Sequence, residues 1–376
     1  RQRQMCIRDR YYGGGSLFRI FTALLYIISI IPYIQLQVGG IGWIFNVASG
    51  GAVPIWVGGL IGYILVLAYV AIGGYRAITI VDTIQGAVLL GGLWTGIITI
   101  CLSFGPRADF SKIQNLIYIS GSAGYSWLYV ATWAISYGAG WAFHPHMWIN
   151  LYAARNEKVA KLWPSTVYIE NMIHGLGLTL SMLILASVMP GVKPIDIAFL
   201  SGVKQALPIM GIILLVAIGA AIITTVDSQL FAISILISHD IMERGKAILP
   251  DRVFIAVNRV LVAVIAAIGY ILYFIYPYPL GIIAGYAAAL GLMFAPPMIA
   301  ALTGQKWVTK EGVVACLIAA LIAMAIFSTG PLANLYGIHY SAWAVGIETL
   351  VLIVTSLVTK SKPSEEVIKE IKMLGY

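Results

Sequence analysis

Apolar residues occur along the chain in long blocks that alternate with short polar segments. The blocks lie at about residues 16–40, 52–74, 81–104, 125–148, 165–189, 206–238, 253–276, 280–303, 312–330 and 338–359. Most contain at least about 20 residues, the length of helix that crosses roughly 30 Å of hydrocarbon. Helix-breaking residues such as Gly73-Gly74, Pro190 and Pro277 mark the segments between them. The pattern predicts an all-α polytopic membrane protein with about ten transmembrane helices.

The composition excludes the soluble classes of protein. Hydrophobic residues make up 60% of the 376 and charged residues only 10%, whereas soluble domains contain about 25% charged residues. The net charge of +8 does not indicate nucleic-acid binding, because the basic residues lie in short loops and at the termini instead of on one surface. Cys6, Cys101 and Cys316 are scattered and form neither a CxxC pair nor a disulfide framework.

Lysine and arginine are divided unevenly between the two alternating sets of loops. One set holds most of them, namely Arg76, Arg155, Lys158, Lys161, Arg244, Lys246, Arg252, Lys306, Lys310, Lys360, Lys362, Lys369 and Lys372. The opposite set holds Arg107, Lys112, Lys193 and Lys204. Because basic loops stay on the inner side of a membrane, we expect a multi-pass protein of the cell membrane with its C-terminus in the cytoplasm.

A polar cluster interrupts the apolar block at 206–238, where residues 221–229 have the sequence AIITTVDSQ. An ionisable group at the bilayer centre costs about 3 kcal/mol on insertion scales, so Asp227 needs a partner or a function. Hydroxyls, carbonyls and one carboxylate supply the oxygens that a dehydrated hard cation requires. Positions 221, 224, 225 and 228 share one helix face. The cluster favours a Na⁺ site over the alternative that the hydroxyls only bond back to their own helix.

Residues 73–86, with the sequence GGYRAITIVDTIQG, place a second acid close to a predicted helix boundary. We expect Gly73 and Gly74 to end one helix and Asp82 to lie in the first turn of the next. At that position a carboxylate either caps free backbone N–H groups, reaches the polar interface, or contributes to a cation path. A further acid, Glu348, lies in a later block, where we expect an interhelical hydrogen bond.

Residues 137–146, with the sequence YGAGWAFHPH, contain two glycines and a proline inside an apolar block. This pattern predicts a helix that is broken near Gly138–Pro145, as in transporters that expose backbone groups to solute and ion. An intramembrane metal enzyme is disfavoured, because His144 and His146 would diverge on a continuous helix and the sequence has no H-E-x-x-H motif.

Taken in order, the three segments resemble the sodium/solute symporter family, which includes proline, pantothenate, monocarboxylate and sugar symporters. The first resembles the family's glycine–arginine–aspartate–glutamine segment, GWAFHPHMWINLYAA its Pro-His helix, and AIITTVDSQLFAISILISHDI its cation-site helix. The resemblance implies a five-plus-five inverted-repeat (LeuT-like) transporter core that lacks its first two helices here. It divides the chain into a non-native or remnant N-terminus at 1–15, core helices three to ten at 16–303, two peripheral helices at 304–359 and a cytoplasmic tail at 360–376.

The resemblance also implies roles for individual residues. The sodium-binding residues would be Ala221, Thr224, Thr225, Asp227, Ser228 and Asp82. The substrate-binding residues would be Tyr33, Tyr137, Trp141 and Pro145. In the proline-type branch, Trp stands at the position of Tyr137 and Tyr at that of Trp141, so the resemblance does not carry over the identity of the solute. No metal beyond Na⁺ is implied.

The function implied by the resemblance is secondary active transport. Na⁺ entry would drive uptake of a small organic solute, such as an amino acid, a carboxylate or a vitamin-like compound, by alternating access. The partners would be the solute and the lipid bilayer, without nucleic acid and without enzymatic activity. The alternative is a transporter-like membrane sensor that binds solute without coupled transport.

Overall fold

The computed structural model describes Tyr12 and residues 15–113, 126–191, 197–242 and 249–359, apart from the side chains of Tyr69, residues 71–77 and Tyr152. Within these ranges every regular element is helical. The N-terminal segment 1–15 lies largely outside the described residues, and the predicted tail at 360–376 lies entirely outside them.

Twelve α-helices occur in the described part of the chain. They are α1 (Ser16–Ala48), α2 (Ile55–Phe104), α3 (Trp127–Ala142), α4 (Pro145–Tyr152), α5 (Glu157–Val188), α6 (Ala198–Ala206), α7 (Pro208–Ile235), α8 (Asp251–Ile275), α9 (Leu280–Leu292), α10 (Ala295–Leu302), α11 (Lys310–Phe327) and α12 (Tyr340–Thr359). A π-helical segment, Leu236–Ile241, continues α7. All ten predicted apolar blocks are helical.

Seven described helical segments are long and apolar enough to cross a membrane. These are Ser16–Ala48, Ile78–Arg107, Glu157–Val188, Pro208–Ile241, Asp251–Ile275, Lys310–Phe327 and Tyr340–Thr359. The pair α9 and α10, bent by 40°, makes up an eighth if it is taken as one broken span. A multi-pass membrane protein follows from these helices.

The predicted boundary at Gly73-Gly74 is wrong, because α2 continues through it as one helix of 50 residues. Each glycine weakens a helix by about 1 kcal/mol relative to alanine, but it keeps its backbone N–H and does not break the hydrogen-bond ladder as proline does. Asp82 consequently lies well inside α2 and caps no helix.

Helix α1 lies at the centre of the bundle, where it packs against α2, α7, α8 and α9. A run of glycines permits this close packing. At Gly40, for example, an added Cβ would lie 2.7 Å from the side chain of Ile222 on α7. Buried aliphatic residues of α1, including Ile30, Ile34 and Val38, join the main hydrophobic core. Since α1 contacts most of its neighbours, it brings Tyr33 into the middle of the molecule.

Candidate cation and solute site

The predicted helix break is present between α3 and α4. Helix α3 ends at Ala142 and α4 begins at Pro145. His144 has extended backbone angles (φ −68°, ψ 141°), because the proline ring disfavours the helical conformation in the residue before it. Pro145 itself takes the first position of α4, where its missing N–H costs no hydrogen bond. The local sequence therefore accounts for the break.

Close backbone packing holds the broken helix against α9. A Cβ added at Gly140 would collide with the backbone carbonyl of Ala288, and one added at Gly291 would lie 2.5 Å from the carbonyl of Gly140. At the break, Nε2 of His144 donates a hydrogen bond to the carbonyl of Ala287 at 3.0 Å. These contacts fix the position of the aromatic side chains that flank the break.

An aromatic cluster forms where the break faces α1. The ring centroids of Tyr33 and Trp141 are 4.4 Å apart, and those of Tyr137 and Trp141 are 5.4 Å apart with the rings nearly perpendicular. All three side chains are half-buried, whereas Pro145, at the start of α4, is buried. The structure thus brings Tyr33, Tyr137 and Trp141 together. Pro145, the fourth predicted substrate residue, lies at the end of the break, where α4 begins.

The two histidines belong to this cluster, contrary to the expectation that they diverge. Their ring centroids are 5.7 Å apart, and each ring lies within 6 Å of Tyr33. Both are buried. The expectation assumed a continuous helix, but His144 precedes α4 and only His146 is inside it. Among the described residues, no group of three histidine, cysteine or acidic side chains is arranged to hold a metal ion.

The threonine pair lies on α7, opposite the cluster. The hydroxyls of Thr224 and Thr225 each donate to the carbonyl of Ala221 at 2.9 Å, so three oxygens converge on one face. Thr224, Thr225 and Ser228 are half-buried, while Val226 is fully buried. The hydroxyl lone pairs remain available to a cation, and rotation of the hydroxyls would free the carbonyl as well. The donor set fits a hard cation such as Na⁺.

A hydroxyl contact joins the two groups of residues. The side chains of Tyr33 and Thr225 approach each other closely enough to interact, while the hydrogen bond of the Thr225 hydroxyl goes to the Ala221 carbonyl. Tyr33 therefore contacts the aromatic cluster through its ring and the cation face of α7 through its oxygen. No sequence pattern indicated this contact, because the two residues are far apart along the chain.

Two carboxyl groups meet on the other side of α7. The carboxyl groups of Asp82 on α2 and Asp227 on α7 lie close enough to interact, where the two helices pack closely along much of their length. Asp227 is fully buried and Asp82 is half-buried. Two carboxyl groups this close cannot both stay charged without a cation between them, so the pair either shares a proton or holds a cation.

Glu348 of α12 does not make the interhelical hydrogen bond that we expected from the sequence. The side chain is fully buried, but neither carboxyl oxygen has a hydrogen-bond partner among the described residues. The predicted interhelical hydrogen bond is therefore wrong for the described part of the chain. A further acid, Glu170 of α5, accepts a hydrogen bond from Nδ1 of the buried His174 at 2.9 Å.

A bundle of apolar helices around a broken helix and an oxygen-rich helix face is the architecture of a secondary transporter. The chain belongs to the sodium:solute symporter family, whose model matches residues 5–319. As a member of this family it is a transporter and not an enzyme, with Na⁺ as the coupling ion and a small molecule as the solute.

Curated relatives match nearly the whole chain. The osmoregulated proline transporter OpuE of Bacillus subtilis (strain 168) is 24% identical over 366 residues, which cover 93% of this chain and 73% of the relative. A sodium/proline symporter of Staphylococcus aureus is 23% identical over 371 residues, covering 94% and 72%.

Among solved structures, the chain is similar to a Na⁺-coupled sialic acid symporter in a substrate-bound, outward-open state. The TM-score is 0.62 at 14% sequence identity, with 91% of this chain and 74% of that chain covered. At this identity the likeness shows the fold, and the predicted fold class is confirmed.

Proposed function

We propose that the protein carries a small organic solute into the cell together with Na⁺ by alternating access. The solute belongs to the amino acid, carboxylate or vitamin-like classes. The observation that supports this most directly is the Tyr33–Thr225 contact, which connects a place for a solute with a place for a cation. Inward movement of one Na⁺ through the membrane potential supplies about 2.3 kcal/mol per 100 mV.

In this proposal Na⁺ binds to the face of α7 formed by the Ala221 carbonyl and the hydroxyls of Thr224, Thr225 and Ser228. The half-buried position of both threonines beside Tyr33 supports the assignment, whereas their bonds to the Ala221 carbonyl are those that threonine commonly makes to its own helix. Asp82 and Asp227 form a second cation site, which their mutual contact and partial or complete burial support. A cation between these carboxyl groups would balance their charge in a medium of low dielectric constant.

The solute binds against the rings of Tyr33, Tyr137 and Trp141, with Pro145 holding the break open beneath it. Aromatic faces bury apolar area, while the tyrosine hydroxyl and indole N–H groups supply directional polar contacts. Na⁺ at Thr225 would draw the hydroxyl oxygen toward the ion and so change its contact with Tyr33. The ion would in this way favour one orientation of the Tyr33 ring, and thus the solute-binding form of the cluster.

Solute uptake into proteoliposomes tests the proposal. Proline should be measured first, because both curated relatives described above are proline transporters, followed by pantothenate and short monocarboxylates. We expect uptake with an inward Na⁺ gradient and none with K⁺. Uptake that follows an imposed pH gradient and ignores Na⁺ would contradict the Na⁺ assignment, and solute binding without any uptake would favour the sensor.

A double-mutant cycle tests the contact on which the proposal rests. Tyr33→Phe and Thr225→Val each remove one hydroxyl and leave the packing volume nearly unchanged. If the contact couples solute and ion, their effects on Na⁺-dependent solute affinity should be non-additive by about 0.5–3 kcal/mol, the range for residues in contact. Tyr137→Phe combined with Thr225→Val is the matched control, for which additive effects are expected. Additivity in both pairs would remove the proposed link.

A further inference from the structure

A cavity of about 500 Å³ lies between α1, α8, α9, α11 and α12. Its volume is within the range for small-molecule sites, and none of the predicted sodium-binding or substrate-binding residues lines it. Tyr276, Ser328 and Tyr340 do, so the cavity reaches the end of the bundle where α8 and α11 end and α12 begins. Because most of the basic loops lie at the opposite end, we expect the cavity to be on the outer side of the membrane.

Tyrosines form much of the cavity wall. Four of them line it, namely Tyr276, Tyr278, Tyr286 and Tyr340. The ring centroids of Tyr278 and Tyr286 are 6.4 Å apart, and those of Tyr286 and Tyr340 are 5.9 Å apart. The face of an aromatic ring is electronegative and attracts cations. A wall built from several such rings therefore favours a positively charged ligand.

Tyr340 is the most deeply buried of these tyrosines. The residue is only 6% exposed, and its hydroxyl makes no hydrogen bond within the described part of the chain. Burial of a hydroxyl group without a partner is unfavourable. Since Tyr340 lines the cavity, a ligand with a polar or charged group would offset this cost.

Helix α1 contributes backbone oxygen to the same cavity. Pro32 lies inside α1 and has no N–H, so the carbonyl of Ile28, four residues earlier, lacks its usual helical partner. Ile28, Pro32 and Gln35 all line the cavity. The Ile28 carbonyl and the amide oxygen of Gln35 both carry partial negative charge. They add to the attraction that the tyrosine rings exert on a cation.

The charge of the lining restricts the ligand further. Among the described residues that line the cavity, none is an acid, a lysine, an arginine or a histidine. An anion or a zwitterion would therefore have no positive side chain to receive its negative group. A small metal ion needs about six oxygen ligands to replace its water, whereas these walls are mostly aromatic and aliphatic. A bulky organic ammonium ion suits aromatic walls, because it binds their faces without a shell of oxygen ligands.

We propose that this cavity binds an organic cation with a quaternary ammonium group. The methyl groups of the cation lie against the tyrosine rings, and the Ile28 carbonyl and the Tyr340 hydroxyl oxygen complete its surroundings. Free choline and the head group of a phosphatidylcholine lipid share this chemistry. The site is separate from the proposed transport site and does not depend on the identity of the transported solute.

Equilibrium binding of radiolabelled choline to the purified protein in maltoside detergent tests the charge. The control ligand is neohexanol, in which an uncharged tert-butyl group replaces the trimethylammonium group. We expect choline to bind and neohexanol to compete at least about tenfold less well, because it keeps the shape but lacks the cation–π attraction. Displacement of choline by phosphatidylcholine would identify a lipid head group as the ligand, and its absence a free solute. No choline binding, or equal competition by neohexanol, would overturn the proposal.

Substitutions of tyrosine locate the bound cation. Tyr286→Leu removes the ring between Tyr278 and Tyr340 and should weaken choline binding about tenfold, whereas Tyr286→Phe keeps an aromatic face and should retain most of the affinity. The matched control is Tyr336→Leu, at a side chain that is 80% exposed and outside the lining; it should not change choline binding. Loss of choline binding in Tyr137→Leu, with normal binding in Tyr286→Leu, would place choline in the transport site and overturn the proposal.

A further pair of variants tests the shape of the cavity. Ala325 of α11 lines the cavity, whereas the next residue, Ile326, is exposed and outside the lining. Ala325→Phe should fill the cavity and reduce choline binding, while Ile326→Phe should not. This pair remains informative if Tyr286→Leu fails to fold. Unchanged choline binding to a folded Ala325→Phe variant would contradict the proposed position of the cation.

Discussion

The two threonine hydroxyls of α7 share a single acceptor, the Ala221 carbonyl. Replacing both Thr224 and Thr225 with alanine removes two oxygen ligands that water does not easily replace in a dry site. We expect the apparent Na⁺ affinity for uptake to fall at least about tenfold, or ~1.4 kcal/mol. High Na⁺ should partly restore transport, and Thr→Ser should be mild because the hydroxyl remains.

The matched control for the threonine pair is Thr95→Ala. Thr95 makes the same bond to its own helix, donating to the Gly91 carbonyl at 2.7 Å, but it lies on an exposed part of α2. Its loss should leave the Na⁺ dependence of uptake unchanged. An equal effect of Thr95→Ala would show that the hydroxyls act only on helix stability.

The second prediction at the scale of residues concerns the carboxyl groups of Asp82 and Asp227. Asp82→Asn and Asp227→Asn each remove one charge from a buried or half-buried pair, so a cation at this site loses half of its compensating charge. We expect each variant to weaken the dependence of solute uptake on Na⁺, as measured by the concentration that gives half-maximal uptake. The control is Asp109→Asn, at a side chain that is 46% exposed. Normal Na⁺ dependence in both pair variants would exclude a cation site there.

At the scale of elements, the contact between α3 and α9 has no room for a side chain. Gly140→Ala would force a Cβ against the Ala288 carbonyl, and overpacking of this kind costs about 1–3 kcal/mol. Gly138, two residues away on α3, has open space around it. Gly138→Ala should therefore be neutral or stabilising by up to about 1 kcal/mol, from helix propensity. Thermal unfolding in detergent, followed by size-exclusion chromatography, measures both. Equal stability of the two variants would contradict the close packing.

The sequence predicted helices better than it predicted where they stop. The break at Pro145 was predictable because proline changes the backbone of the residue before it. The boundary at Gly73-Gly74 was not, since glycine permits a helix to end but does not require it. The expectation for the two histidines failed for a related reason, because it assumed a regular helix at a place where the structure has none.

At the scale of the whole molecule, the uneven distribution of lysine and arginine predicts the orientation. A fluorescent protein that folds only in the cytoplasm, fused after Thr359 at the end of α12, should fluoresce. The same protein inserted in the turn between α11 and α12, at 330–337, should not, because one span separates the two positions. Alkaline phosphatase fusions should show the reverse pattern. Fluorescence only from the insertion at 330–337 would invert the proposed topology.

Sequence patterns did not predict which residues of different helices contact each other. The spacing of polar residues indicated the cation face of α7, and the family resemblance indicated the aromatic residues of α3, because each set lies within one short segment. The contacts of Tyr33 with Thr225 and of Asp82 with Asp227 join segments that are far apart along the chain. Such pairs depend on how the helices pack, which periodicity within a single helix does not specify.

The backbone contact between Gly140 and Ala288 has a mechanical consequence. Gly140 has no Cβ, so its backbone lies directly against the Ala288 carbonyl with no side chain between the two helices. We therefore expect this contact to act as a pivot about which α3 tilts against α9. Trp141 lies one residue from this pivot and is displaced little when α3 tilts. Trp127, at the far end of α3, is displaced much further. If distances between α9 and α3 are measured spectroscopically during turnover, the distance to Trp127 should change and the distance to Trp141 should stay constant.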